Sequence, residues 1–211
     1  MWVPANNMVV DSICVLGLGQ VRWVLPAAYA HPPVMAVTGN MQKRMSSWFD
    51  ICIFDFPLTI PPPGKEDDAG ILKSIAFIDA LLTEIVQSGV DPSCIVLGGI
   101  SQGAAMNLLT GLTTAKKLAG LIVLSARLPL RHKFKSMVSA HASSIPIFWG
   151  HGNADPLVSY KLSRVCVEYL VTEIGLDFHT YYRLAHYIRD DKLTDIASWL
   201  KKILAPSEPF N

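Results

Sequence analysis

The residues most suggestive of chemistry form a G-x-S-x-G pattern at Gly99–Gly103, which reads Gly-Ile-Ser-Gln-Gly. An apolar strand pattern at Cys94–Leu97 precedes it, and a helix-prone run that starts at Ala104 follows it. This strand–turn–helix setting is typical of a nucleophile elbow, in which a sharp turn exposes the serine hydroxyl. We therefore predict that Ser101 is a nucleophile and that the amide of Gln102 donates to an oxyanion. The alternative is a plain glycine-rich turn between a strand and a helix.

A serine hydroxyl needs a base that takes its proton and an acid that orients the base. In this architecture the acid and then the histidine follow the serine along the chain. Asp155 follows one apolar strand pattern and His186 follows the last one, so both fall at strand ends, where open α/β sheets build their sites. We predict a triad of Ser101, Asp155 and His186. His179 is the alternative base, and the alternative role of Asp155 is that of a turn residue before Pro156.

Short apolar runs alternate with helical patterns along the chain. The strands and helices that they predict must position Ser101, Asp155 and His186. The predicted strands are Ser12–Leu16, Arg22–Leu25, Ile51–Phe56, Cys94–Leu97, Leu121–Ser125, Pro146–Gly150 and Phe178–Tyr182. The clearest helix runs from about Asp68 to Ser88 and ends before Gly89; the others are Gln102–Leu112, Tyr160–Ile174 and Asp191–Leu204. This alternation predicts a mostly parallel sheet with helices on both faces. We expect residues 1–211 to form one α/β domain.

The composition favours a large core. Of the 211 residues, 51% are hydrophobic and 17% are charged, whereas about 25% are charged in a typical soluble domain. Such a composition excludes a disordered chain and suits a sheet that is buried on both faces. Eighteen basic and 17 acidic residues give a net charge of +1 without a long basic run. We therefore expect no nucleic-acid partner.

The hydrophobicity does not indicate a membrane-spanning segment. The longest uncharged stretch, Pro92 to Ala115, is interrupted by glycine and polar residues, and the first basic residue, Arg22, comes too late for a signal peptide. No residue cluster has metal-ligand spacing, so we expect no metal. The four cysteines lack CxxC spacing and are predicted to be buried, reduced thiols of a cytosolic protein; they are Cys14, Cys52, Cys94 and Cys166.

Several further segments occur in an order typical of one family. They are Ser47–Ile51, Glu66–Ile71, Leu112–Thr114, Lys117–Gly120, Leu128–Leu130, His151–Gly152 and Asp155–Val158. With the elbow, they make nearly everything from Val21 onward resemble the acyl-protein thioesterase/lysophospholipase branch of the α/β-hydrolases, particularly its fungal members.

The resemblance implies an α/β-hydrolase fold and a cytoplasmic serine hydrolase, with the nucleus as a further location. The implied substrates are palmitoyl thioesters on proteins, and often lysophospholipids and short esters. They would react through an acyl-enzyme, with a hydrophobic channel for the acyl chain, no cofactor and no stable insertion into a membrane. The resemblance also assigns the second oxyanion donor to the amide of Leu18. A hydrophobic groove is compatible with a homodimer.

The chain departs from the family pattern near its N-terminus. The family usually has His-Gly-Leu-Gly-Asp where Leu16–Gln20 reads Leu-Gly-Leu-Gly-Gln, and the strand pattern Val21–Leu25 follows at once. Two parallel strands need a crossover of about a dozen residues. Either these strands do not both hold their usual places or a segment has been lost, so we expect an abbreviated N-terminal strand–helix region.

Other departures lie near the predicted triad. Arg127 stands where the family has a tryptophan, Ile100 and Ala104 alter the elbow, and Arg183–Tyr187 replaces a Gly-x-Gly-His-Ser pattern. Two rival functions therefore remain beside the thioesterase. One is a general carboxylesterase without a protein substrate, which shares the chemistry; the other is a non-catalytic homologue that binds acyl chains or proteins, as the missing crossover suggests.

Overall fold

The computed structural model describes residues 11–17, 20–24, 34–38, 41–45, 47–51, 61–62, 65–171 and 174–205. The strands are β1 (Asp11–Gly17), β2 (Gln20–Val24), β3 (Val34–Thr38), β4 (Met41–Met45), β5 (Ile95–Ile100), β6 (Gly120–Leu124), β7 (Ile147–Gly152) and β8 (Leu176–Tyr181). The helices are α1 (Asp68–Gln87), α2 (Ser101–Thr113), α3 (Phe134–Met137), α4 (Tyr160–Val171) and α5 (Asp190–Ile203).

Six strands form one sheet in the order β2-β1-β5-β6-β7-β8. Neighbouring strands from β5 to β8 are parallel, whereas β1 runs antiparallel to both β2 and β5. The predicted, mostly parallel sheet is thus confirmed. Because the carboxyl ends of β5 to β8 share one edge, the residues that follow these strands converge there.

Alternate residues of the parallel strands face two separate cores, as the pleat of a strand requires. Ile95 and Leu97 of β5 belong to the larger core, to which α1, α2 and α4 contribute. Val96, between them, belongs to a smaller core with Phe148 of β7 and Trp199 of α5. Helices therefore cover both faces, as predicted.

The two N-terminal strands form a hairpin, which explains their short connection. Gly17 of β1 pairs with Gln20 of β2, and Ile13 pairs with Val24. Antiparallel neighbours need no crossover. The short connection therefore does not require a lost segment, because the two strands are not parallel neighbours.

The direction of β1 also fixes which end of it lies near the elbow. Asp11 pairs with Gly99 of β5, and Val15 pairs with Ile95. Gly17 therefore continues past the amino end of β5, at the sheet edge opposite the carboxyl ends of the parallel strands.

The predicted boundaries differ from the observed ones by a few residues. Helix α1 begins as predicted because the Asp67 carboxylate accepts the amide hydrogen of Gly70 at 2.9 Å, and Gly89, at φ +96°, follows its end. The β3–β4 hairpin was not predicted. Of the predicted strand Ile51–Phe56, only Ile51 is described, and it is not part of a strand.

In the described part of the chain, no helix has the length and apolar character needed to cross a membrane. Cys166 is a buried free thiol, as predicted, and burial raises its pKa. Cys94 is also free but only half-buried, because it lies in a short 3-10 turn ahead of β5. The side chain of Cys14 and the whole of Cys52 lie outside the described part.

Candidate active site

Ser101 lies at a sharp junction between β5 and α2. Ile100 is extended at φ −120° and ψ 148°, whereas Ser101 has φ +59° and begins the helix. Positive φ is uncommon for any residue except glycine and often marks a functional turn. A Cβ atom on Gly99 would lie 2.9 Å from the backbone nitrogen of Ala104. Glycine therefore lets the helix start close to the strand, as a nucleophile elbow requires.

Two neutral polar side chains hold the elbow in place. The Nδ2 group of buried Asn107 donates to the carbonyl of Gly98 at 2.8 Å, which ties α2 to β5. The side chain of Gln102 accepts from the amide of Trp48 at 2.9 Å and donates to the carbonyl of Phe49 at 2.7 Å. Its own amide lies in the first turn of α2, where amides lack acceptors within the helix. Gln102 thus combines a position suited to an oxyanion donor with a side chain that fixes the neighbouring segment.

Asp155 and His186 form a direct pair. The Nδ1 group of His186 lies 2.7 Å from Oδ2 of Asp155, and His186 retains only 10% of its side-chain exposure. The other carboxylate oxygen accepts the amide hydrogens of Leu157 and Val158, both at 2.9 Å. This arrangement leaves Nε2 of His186 as the nitrogen that can exchange a proton with a reacting group.

The pKa of Asp155 is lowered despite its burial. Burial opposes ionisation, but hydrogen bonds from His151 and His186, attraction to His186 and the Val158 amide together outweigh it. Asp155 is therefore an anion at neutral pH, as an acid that orients a base must be.

The loops that carry this pair are joined along their backbones. The amides of Asn153 and Ala154 donate to the carbonyls of Tyr181 and Leu184 at 3.0 and 3.1 Å. A Cβ atom on Gly152 would lie 2.1 Å from the Leu184 carbonyl oxygen. Glycine at this position thus allows the close approach that aligns the imidazole with the carboxylate.

The other histidines near this edge have different surroundings. His151 is fully buried, with Nε2 3.0 Å from the Val158 carbonyl oxygen and 3.4 Å from Oδ2 of Asp155, so it supports the Asp155 loop. His179, the alternative base, lies within β8 and stacks on Phe148 with ring centroids 4.4 Å apart. Its Nε2 is 3.1 Å from Asp177. The Asp155 contact therefore favours His186 over His179.

Ser101 shares the carboxyl edge with the Asp155–His186 pair. Ser101 lines a cavity of about 40 Å³ together with Val158, whose amide donates a hydrogen bond to Asp155. The remaining lining residues are Phe49, Ile51, Gln102, Ala105, Ala126 and Arg127. Among the described residues, no hydrogen bond joins Ser101 to His186. Such a bond often tightens only when substrate is bound.

Arg127 occupies the boundary of this cavity. Its Nη1 group lies 2.5 Å from Oε1 of Glu66, and the two side chains are only 12% and 6% exposed. The other Glu66 oxygen accepts the amide hydrogen of Leu130 at 3.1 Å. Arg127 also lines a second cavity of about 240 Å³, together with Glu66, Pro61, Pro62, Leu128, Arg131, His132, Leu162 and Cys166. A buried ion pair thus stands between the two cavities.

Lys192, in the first turn of α5, is fully buried beside the loop that carries His186, residues 182–189 (the histidine loop). Its Nζ group donates to the carbonyl of Tyr187 at 3.3 Å and lies 5.1 Å from the centroid of the Tyr181 ring. Burial lowers the pKa of Lys192 to about 8, and Arg189 adds to this effect. The charge of Asp155 acts in the opposite direction.

Several residues of the site were not predicted from the sequence. Asn107 was detectable as a polar residue within an apolar helix, whereas Glu66 and Lys192 resemble ordinary surface charges. Leu18, the predicted second oxyanion donor, lies outside the described residues. Its role stays a prediction, and its neighbour Gly17 lies at the opposite edge of the sheet. Among the described residues there is no cluster of His, Cys, Asp and Glu suited to a metal ion.

Comparisons with known proteins extend over most of the chain. A model of the phospholipase/carboxylesterase family matches residues 10–204. Acyl-protein thioesterase 1 from Cryptococcus neoformans is 36% identical, over 96% of this chain and 86% of the relative. The protein of the same name from Mycosarcoma maydis is 37% identical, over 89% and 80%.

Two solved structures are also similar to this chain over most of its length. The crystal structure of Arabidopsis thaliana SOBER1 matches with a TM-score of 0.75 and 30% identity, over 86% of this chain and 83% of that one. Zea mays acyl-protein thioesterase 2 matches with a TM-score of 0.64 and 25% identity, over 78% and 75%.

Proposed function

Because the chain belongs to the phospholipase/carboxylesterase family and has the α/β-hydrolase fold, we propose that it is a serine hydrolase that cleaves the thioester of S-acylated proteins. The direct Asp155–His186 contact of 2.7 Å carries this proposal, since it leaves an oriented imidazole at the edge of the sheet where Ser101 lies. The thioesterase relatives support acylated proteins as the substrate class.

The reaction proceeds in two steps. Oγ of Ser101 attacks the thioester carbonyl while Nε2 of His186 takes the hydroxyl proton, and the Gln102 amide stabilises the resulting oxyanion. When the intermediate collapses, the C–S bond breaks and the imidazolium gives its proton to the leaving thiolate. Water then attacks the acyl-enzyme with His186 again as base, which releases the carboxylic acid and restores Ser101. The Leu18 amide, predicted as the second donor, enters no step here, because its neighbour Gly17 lies at the sheet edge opposite Ser101.

Labelling with a fluorophosphonate probe tests the nucleophile directly. Wild type should be labelled with a stoichiometry near one, and Ser101→Ala should not be labelled. Hydrolysis of a palmitoylated peptide thioester should disappear in the same variant. If well-folded wild type is not labelled, the catalytic proposal is wrong and a binding homologue becomes the better interpretation.

The Arg127–Glu66 pair favours a second candidate, a carboxylesterase for short acyl groups. The cavity at Ser101 is small, and a long acyl chain that continued past Arg127 would meet a buried ion pair. Moving Arg127 away from Glu66 is costly, because the Glu66 carboxylate then stays buried without its partner. With Arg127 in this position, the ion pair should limit the length of the acyl chain, which supports a preference for short acyl groups.

A series of acyl thioesters from two to sixteen carbons separates the two candidates. If Arg127 limits the chain, wild type should favour short acyl groups, and Arg127→Trp should raise the kcat/KM ratio of long to short substrates by about 10-fold or more. Arg131→Met is the matched control, because Arg131 lines the second cavity and is not among the described residues that line the cavity at Ser101. An efficient wild-type reaction with palmitoyl thioester would contradict the short-chain candidate. Lysophospholipid hydrolysis, a homodimer and a cytoplasmic or nuclear location stay predictions.

A further inference from the structure

The segment that carries His186 is held at both ends by one buried side chain. Tyr181 closes β8 before this segment, and Tyr187 follows His186. The Nζ group of Lys192 donates to the Tyr187 carbonyl at 3.3 Å and lies 5.1 Å from the Tyr181 ring centroid. The Lys192 ammonium group therefore contacts both the residue that precedes this segment and the residue that follows His186.

Helix α5 makes a second contact with the start of the same segment. The hydroxyl of Tyr181 donates to Oδ2 of Asp195 at 2.8 Å. Asp195 lies one turn after Lys192, so both side chains project towards the segment. Two residues of α5 thus hold Tyr181, and one of them also holds Tyr187.

Stability alone does not account for a lysine at this position. Within the described part of the chain, Nζ contacts one carbonyl and one ring and forms no ion pair. A buried ammonium without a close carboxylate is costly, and an apolar side chain of similar length would avoid that cost. The lowered pKa of Lys192, about 8, has burial as its main cause.

The charges that face Lys192 come from three elements. Asp191, on α5, and Asp155, on the loop after β7, favour the ammonium form, whereas Arg189, just before α5, opposes it. Arg189 and Asp191 are paired with each other, with Nη2 2.5 Å from Oδ2.

We propose that Lys192 is a positioning residue for His186: its hydrogen bond to the Tyr187 carbonyl and its contact with the Tyr181 ring fix the segment that carries the base. This inference rests on the proposed function, in which His186 must be unprotonated to activate Ser101.

Three variants of the full chain test this role. Lys192→Met removes the hydrogen bond, Lys192→Gln retains a donor, and Lys201→Gln is the control at an exposed position in the last turn of α5. Values of kcat and KM are measured for each with a short acyl thioester. In parallel, NMR of protein labelled in its histidines follows the environment of the His186 ring without turnover.

Lys192→Met should lower kcat about 10- to 100-fold with little change in KM, because the base is no longer fixed. Lys192→Gln should keep kcat within a few-fold of wild type. The control should match wild type throughout.

An unchanged kcat in folded Lys192→Met would overturn the proposal. If Lys192→Met does not fold, a loss of kcat of about 10-fold or more in Lys192→Gln overturns it, because that variant retains a donor, and failure of both to fold makes Lys192 a structural residue only. If wild type hydrolyses nothing, the proposed function fails on its own. The NMR signal of the His186 ring in Lys192→Met, compared with wild type, still decides whether Lys192 positions the imidazole.

Discussion

The elbow and the histidine loop both contain a residue other than glycine at positive φ, but the strain falls on different kinds of residue. In the elbow it falls on Ser101, at φ +59°, the proposed nucleophile. In the histidine loop it falls on Arg183, at φ +53°, whose guanidinium lies on the exposed face, 5.3 Å from the Tyr182 ring. The strain at Ser101 would orient the proposed reacting group, whereas we propose no role in the reaction for Arg183.

The two regions also differ in how they are anchored. The elbow is held by neutral amide side chains, those of Asn107 and Gln102. The histidine loop is held by buried ionisable groups, Asp155 on one side and Lys192 on the other. We therefore expect pH to act on the histidine loop much more than on the elbow.

Asp155→Asn should give the largest effect, because it removes the charge that orients the base. We expect kcat to fall by on the order of 10⁴-fold, with the fold retained. The lowered pKa of Asp155 also means that in wild type its protonation lies below the acidic limb of the profile. Steady-state kinetics measures the fall in kcat, and circular dichroism checks that the fold is retained. A fall of less than 10-fold would contradict the assigned role.

Gly152→Ala should displace the histidine loop. The new Cβ atom would lie 2.1 Å from the Leu184 carbonyl, a backbone atom that cannot rotate away. A displacement of about 1 Å should lower kcat on the order of 10²-fold. Gly175→Ala is the matched control, because its Cβ atom would meet nothing within 4 Å. Equal kinetics of the two variants would refute this account.

Lys192 should make folding stability depend on pH. Its folded pKa, about 8, lies below the ordinary value of 10.5. Between these values the unfolded chain holds a proton that the folded chain has lost, so the free energy of unfolding rises with pH, by at most about 3 kcal/mol. Urea titrations at pH 7, 8, 9 and 10 should show this rise in wild type and not in Lys192→Met. At pH 7 the methionine variant should be the more stable one.

Arg183→Gly should give the smallest effect, a modest gain in stability. Glycine relieves about 1–2 kcal/mol of strain at positive φ but loses about 0.5–1 kcal/mol more entropy on folding. We expect a net gain of about 0.5–1 kcal/mol in urea unfolding. The hydrogen bond that the Arg183 amide donates to the side-chain Oδ1 of Asn153, at 2.7 Å, is retained. Arg183→Ala keeps the strain, so an equal gain in that variant would mean that the guanidinium is the cause.

The sequence predicts much of the fold because its signals are local. Buried parallel strands appear as short apolar runs, as at Gly120–Leu124, and α1 has a capping aspartate before it and a glycine after it. Ser101, Asp155 and His186 were predicted because each follows such a run. The structure brings Asp155 and His186 into contact and places Ser101 at the same edge of the sheet.

The features that were missed depend on contacts distant in sequence. Arg127 and Glu66 are 61 positions apart, and neither residue type indicates a buried partner. Lys192 looks like an ordinary helix lysine until Tyr181 and Tyr187 enclose it. The β4 strand has a polar centre without an apolar run, so no local pattern reveals it.

Backbone hydrogen bonds join the loop that carries Asp155 to the histidine loop, so the two loops should be transferred between homologous proteins only together. Asn153 and Ala154 pair with Tyr181 and Leu184, and Gly152 provides the space for that contact. Replacing either loop alone with one from a homologue would bring together two surfaces that were shaped for different partners. In chimeras and directed recombination, crossover points therefore belong outside 152–187, so that both loops are inherited from the same parent.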